Sequence, residues 1–266
     1  MKRREFIAGL GSAAASLPSL PLAVRAEQPA LPVIGLLSSS TFDFLSNGLA
    51  AFRRGLAETG HVEGRNVAFE YRTAENHYDR LPALADDLVR RRVAAIFTAV
   101  NVNPALAAKA ASQVTPIVFV MGADPVRSSV VASLSRPGGN ITGVTRLGGE
   151  LTPKRLALLH ELVPAAETVA YLVNRANPAI SEALLKERAE AARALGVQLL
   201  IVDASTPSDI DRAFATLAEQ RIGALLAAAD VFFAVQREQI VTLAAHYAIA
   251  TSHSDDRSVE IGALTS

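Results

Sequence analysis

Polar residues able to hold a small molecule recur in this sequence at one kind of place, directly after a short apolar run. Ser38, Ser39 and Ser40 follow the run Val33-Ile34-Gly35-Leu36-Leu37, and Thr98 and Asn101 close the next clear one. Ala123 with Asp124, then Thr145, Asn174, Asp203 and Asp230, stand in the same relation to later runs. Ser38 and Ser39 can donate hydroxyls to a ligand carboxylate, with satisfaction of local turn backbone as the competing use. Thr98 and Asn101 border a helix start whose N–H groups and dipole attract anions, a start for which Asn103 is read as the cap. Asp124 suits a ligand ammonium or its own backbone equally, and Asp230 stands evenly between contact and cap. Asn174 both donates and accepts, which suits an amino-acid-like ligand or a turn. Phe42 and Phe44 could wall such a site, although an aromatic beside a helix start more often packs as core.

Catalysis has a thinner basis. The five histidines, His61, His77, His160, His246 and His253, show neither a paired metal spacing nor an adjacent nucleophile pattern. No Gly-x-Ser-x-Gly elbow, Walker A loop or Gly-x-Gly-x-x-Gly follows the N-terminal segment. The chain contains no cysteine, so thiolate chemistry, disulfides and Cys-ligated zinc are excluded. His253, Asp255 and Asp256 form the one local acid–base cluster. The expectation is a binding protein without enzymatic activity, metal or cofactor. Lys plus Arg and Asp plus Glu number 26 each, so no net field draws the chain to nucleic acid.

The elements that position these residues follow from periodicity. Runs rich in Val and Ile alternate with longer stretches of helical period, the pattern of βαβ units and of an α/β fold with mostly parallel sheets. Strands are expected over 32–37, 67–72, 94–98, 117–121, 141–144, 169–173, 198–202 and 224–227. Helices are expected over 48–59, 78–91, 104–113, 127–134, 153–162, 179–195, 208–220 and 235–247. In the second strand Val67, Phe69 and Tyr71 share one face and Glu70 and Arg72 the other, which places it near a sheet edge. Four helices are expected to open with a polar cap and a proline, at Asn103-Pro104, Thr152-Pro153, Asn177-Pro178 and Thr206-Pro207. The rhythm restarts after the turn-rich 136–140, which predicts two lobes, 27–143 and 144–266, with the chain crossing at about 144–150.

Residues 1–26 read as an address. Arg3-Arg4 precede an uncharged stretch that ends at Val24-Arg25-Ala26, and the Ala, Gly and Ser content with Pro18 and Pro21 favours twin-arginine export, cleavage after Ala26 and a periplasmic location over a retained anchor.

Several motifs together resemble the ABC transporter substrate-binding family of tryptophan or tyrosine type, with a type I periplasmic-binding fold. They are Val33-Ile34-Gly35-Leu36-Leu37, Gly64-Arg65-Asn66-Val67 with Glu70-Tyr71-Arg72, and the segments 80–89, 156–164 and 169–177. The most specific are Asp124-Pro125-Val126 and Pro137-Gly138-Gly139-Asn140-Ile141-Thr142-Gly143. The resemblance implies a small-molecule ligand held between two lobes, an ABC permease as partner, membrane contact only through that permease, and a monomer. Family members usually continue beyond a strand like the one ending here, so a final crossover is expected to be missing, and a shortened copy or a receptor's sensing subunit are the alternatives.

Overall fold

The computed structural model describes residues 31–254 and 257–265. The address segment 1–26 lies outside them, as do Asp255 and Asp256 of the acid–base cluster. The first half builds β1 (Val33–Ser38), α1 (Phe42–Glu58), β2 (Ala68–Thr73), α2 (Leu81–Arg90), β3 (Ala95–Val100), α3 (Val102–Ala111), β4 (Ile117–Met121) and β5 (Ile141–Thr145). The second half builds α4 (Thr152–Leu162), β6 (Thr168–Val173), α5 (Glu182–Ala194), β7 (Gln198–Asp203), α6 (Pro207–Glu219), β8 (Ala224–Ala227), α7 (Val231–Val235), α8 (Arg237–Tyr247), β9 (Ala250–Ser252) and α9 (Arg257–Glu260).

The strands form two parallel sheets, ordered β2-β1-β3-β4-β5 and β7-β6-β8-β9. Strand β2 is an edge strand, as its alternation predicted. Parallel pairing requires a covering layer. In the first sheet α1 supplies it on one face, where Leu45 and Leu49 pack on Leu36 and Phe97. On the other face Leu81, Ala85 and Leu88 of α2 and Ala105 and Ala108 of α3 cover Leu37, Ile96, Ile117 and Phe119. The second sheet is buried on Val169, Leu172, Leu225 and Leu226 against Leu159, Leu185, Phe214 and Ile240. Gly143 sits in register with Phe119, and a Cβ there would lie 2.1 Å from the Phe119 carbonyl oxygen, so close approach of β5 to β4 requires the glycine.

Each sheet reverses its strand order once. The chain steps from β1 to β2 on one side and then back to β3 on the other, and likewise from β6 to β7 and back to β8. Loops at the carboxyl ends of strands on either side of such a reversal diverge, and the crevice between them is where open α/β sheets hold ligands. The reversals fall between Ser38–Ser40 and Thr98–Asn101 in the first sheet, and between Asn174 and Asp230 in the second.

Four local expectations are corrected. Residues 127–134 form turns rather than a helix. The Asp124 Oδ1 accepts from the Val126 and Arg127 N–H groups, Ser129 has φ 57°, and the Ser129 and Val130 carbonyls accept from Lys109 Nζ. Those carbonyls are thereby diverted from a helical ladder. Asn177-Pro178 opens no helix, because α5 starts later and is capped by Ser181, whose hydroxyl accepts from Leu184 N–H. The cap of α3 is Asn101 rather than Asn103, and α4 follows Leu151 without a side-chain cap. Thr206 is the cap expected, in a reciprocal pair with Asp209. Strand β9 and helix α9 were not expected at all, since three and four residues are too short to show a period.

Candidate functional site

The carboxyl end of the first sheet is lined with uncharged polar groups. Ser38, Ser39 and Ser40 are fully buried, and Thr98 nearly so. Ser38 Oγ accepts from the Ser40 N–H at 3.1 Å, while Asn101 Nδ2 donates to Ser39 Oγ at 2.7 Å across the reversal from β3 to β1. Asn101 also caps α3 by accepting from the Asn103 N–H. The hydroxyls of Ser40 and Thr98 have no hydrogen-bond partner. Val100, just before Asn101, holds φ 87°, a region that a β-branched residue rarely occupies. Such strain persists only where surrounding structure enforces it, and it sets the direction of Asn101.

The carboxyl end of the second sheet carries charge. Asp230 is 5% exposed and caps α7 by accepting from the Phe232 N–H at 2.8 Å. Asn177 Nδ2 donates to its other oxygen at 2.5 Å, and Asn174 Nδ2 approaches at 3.5 Å. Burial pushes this carboxyl above the usual carboxylate range, while the donors from Asn177, Phe232, Asn174 and Tyr78 pull it back.

Two contacts join the sheet ends. Tyr78, buried at the turn before α2, donates its hydroxyl to the Asp230 carboxylate at 3.1 Å. Asn103 Nδ2 donates to Asn177 Oδ1 at 2.7 Å. Burial and the neighbouring Asp230 both push the Tyr78 phenol upward, so it stays a donor at any physiological pH. Ser39, Asn101, Asn103, Asn177, Asn174, Asp230 and Tyr78 thus form one network across the two reversals.

The remaining sequence candidates lie apart from it. Ala123 and Thr145 bond to each other across the ends of β4 and β5, where Thr145 Oγ1 donates to the Ala123 carbonyl at 2.7 Å. Asp124 serves its own turn, as above. Asp203 is exposed and accepts from the Arg175 N–H. Phe42 is exposed against Tyr71, and Phe44 packs at the first core with the Arg257 guanidinium over its ring. Tyr78 and Asn177 were missed as site residues, the first read as a helix start and the second as a cap. Arg155 was also missed. It is buried with Thr152, Leu156 and Leu159, so its spacing already put it on the inner face of α4. Among the described residues no group of His, Asp or Glu side chains could hold a metal ion, and no helix is long and apolar enough to cross a membrane.

Residues 32–266 match the family of ABC transporter substrate binding proteins. The chain belongs to that family. A relative in this substrate-binding family, the tyrosine-binding protein of Clostridioides difficile, is 24% identical over 87% of this chain, which spans 66% of that protein's length. A conserved domain protein from Vibrio cholerae superposes with a TM-score of 0.75 at 23% identity, covering 87% of this chain and 77% of the other. A Streptococcus ABC domain, solved in complex with L-Trp, superposes at 0.73 with 19% identity, covering 89% and 78%. The chain therefore has the two-lobed type I periplasmic-binding fold, as the resemblance implied, and each of its two sheets carries one reversal of strand order.

Proposed function

We propose that this chain captures an amino-acid-like molecule or small carboxylate between its lobes and hands it to the permease of an ABC importer. The observation that carries the reading is Asp230, a buried carboxylate at one reversal that accepts a hydrogen bond from Tyr78 at the turn before α2 in the other half of the chain. Buried polar groups that converge at facing strand ends are available to a ligand when lobes part and close around it. Ser38, Ser39, Thr98, Asn101, Asn174 and Asp230 are the contacts we assign, with 27–143 and 144–266 as the moving lobes. Ala123, Asp124 and Thr145 would border the entrance.

Arg3-Arg4 and the uncharged stretch to Ala26 support twin-arginine export, release after Ala26 and work in the periplasm as a monomer. The membrane is then met only at the permease. Amino-terminal sequencing of the periplasmic form tests this part, and a protein that stays cytoplasmic refutes it.

The binding itself is tested by thermal unfolding against amino acids, carboxylates, nucleosides and sugars. A ligand at about 100 times its Kd adds about 2.7 kcal/mol and a visible rise in Tm. One chemical class should raise Tm, and that class should lose its effect in D230A.

A further inference from the structure

One buried cation in the second lobe has no use in the network above. Arg155 is 5% exposed, and its Nη2 donates to the carbonyls of Ala227 at 2.9 Å and Ser252 at 2.8 Å, the last residues of β8 and β9. Its Nε and Nη1 have no hydrogen-bond partner, and among the described residues no carboxylate forms an ion pair with it. Burial lowers its pKa to about 10, which leaves it a cation at neutral pH. A clip between two strand ends needs only Nη2. The other two donors point to a second role, because a buried charge without a counter-ion is strongly unfavourable.

Its position suits that role. Ala227 lies three residues before Asp230 on the same strand-to-helix turn, and the Tyr171 phenol of β6 feels Arg155, Arg188 and Asp230 together. Arg188 is matched by Glu187 at 3.4 Å, whereas Arg155 has no such neighbour. The other buried hydroxyls without partners at strand carboxyl ends, those of Ser252, Thr98 and Ser40, lie at β9, β3 and the loop after β1. They are donors for oxygen atoms of the same kind of guest.

We propose that Arg155 is the anion-holding residue of the cleft, taking a carboxylate oxygen of the captured solute on one of its two unpartnered donors, Nε or Nη1. A guanidinium meets a carboxylate with a charge-assisted hydrogen bond, and a serine hydroxyl does not. The inference rests on the solute-capture reading and assigns the acidic end of the solute to the second lobe rather than to Ser38 and Ser39.

Two measurements on the full chain separate the inference from that reading. Crystals soaked in sodium bromide should show an anomalous peak within hydrogen-bond distance of the Arg155 guanidinium. Thermal unfolding should then be compared for tyrosine, tryptophan, leucine and benzoate, each beside its neutral amide. At least one acid should bind tenfold or more tightly than its amide, R155M should erase that preference, and R155K should keep most of it. Should R155M not fold, the acid and amide pairs on the wild-type chain and R155K carry the result. Solutes that bind equally as acid and amide, or an acid preference that survives R155M, overturn the inference and leave solute capture standing. A bromide peak at Arg155 with no solute bound sustains the anion site and overturns solute capture. Neither bromide nor solute overturns both.

Discussion

The two sheets bring opposite chemistry to the same interface. The first ends in hydroxyls and amides, Ser38 to Ser40, Thr98, Asn101 and Asn103, among which Ser38, Ser39 and Asn101 are hydrogen-bonded locally and the Ser40 and Thr98 hydroxyls are not. The second ends in a buried carboxylate and a buried guanidinium, Asp230 and Arg155, separated by three residues' worth of turn from a shared strand end. Neutral groups can be pre-arranged at modest cost, because each lost contact is about one ordinary hydrogen bond. Ionised groups taken out of water demand a partner. On the proposed reading the uncharged sheet end would serve as a fitted wall, while the charged sheet end would decide what is accepted.

The comparison breaks most readily at Asp230. D230A removes the acceptor of Tyr78 and Asn177 and uncaps α7, and should cost about 3 kcal/mol in denaturant unfolding. Loss below about 1 kcal/mol would mean that the carboxylate is already compensated elsewhere. Next is Y78F, which deletes one of the two bonds between the sheet ends and leaves Asp230 one donor short, at about 2 kcal/mol by the same measurement.

S39A tests the neutral wall and should cost only about 1 kcal/mol, since it removes one uncharged partner of Asn101. V100G should stabilise the chain by about 0.5–1 kcal/mol by relieving φ 87°, while weakening solute affinity as Asn101 loses its fixed direction.

Acid and base separate the lobes in sign. Asp87, on the surface of the first lobe, is held below the usual carboxylate range by hydrogen bonds from Arg72 and then Arg91. Its contribution is present above the unfolded pKa of about 3.9 and is lost as pH falls through the lower folded value. Asp230 is shifted the other way by burial, so its contribution is fullest below about pH 4 and declines as pH rises through the folded value. Stability measured against pH should therefore lose part of its acid-side fall in D87N and part of its decline above about pH 4 in D230N. Parallel curves for the two variants would contradict the opposite shifts.

Much of the architecture was legible because parallel strands buried on both faces are written as unbroken apolar runs. Ala224–Ala227 is such a run and stands where the pattern placed it, as does Ile117–Met121, although its Val118 is exposed. The segment 127–134 failed because a helical period says nothing of the competing bonds from Asp124 and Lys109 that hold it in turns. At the site, Ser39, Asn101, Asn174 and Asp230 were visible from one rule, that polar residues after strands gather at a sheet's carboxyl edge. Asp203 obeys the same rule and yet faces solvent, because β7 is an edge strand and no reversal lies beside it.

The sequence by itself determined the α/β alternation, the edge position of β2, the absence of thiol chemistry and the candidate polar residues, since each depends on composition or on spacing within a few residues. Only the tertiary structure decided which of those residues meet. Tyr78 and Asp230 are 152 positions apart, and Asn103 and Asn177 are 74 apart. Their pairing depends on where two sheets reverse their strand order and how those edges face. That is a property of chain topology, which no local pattern of side chains encodes.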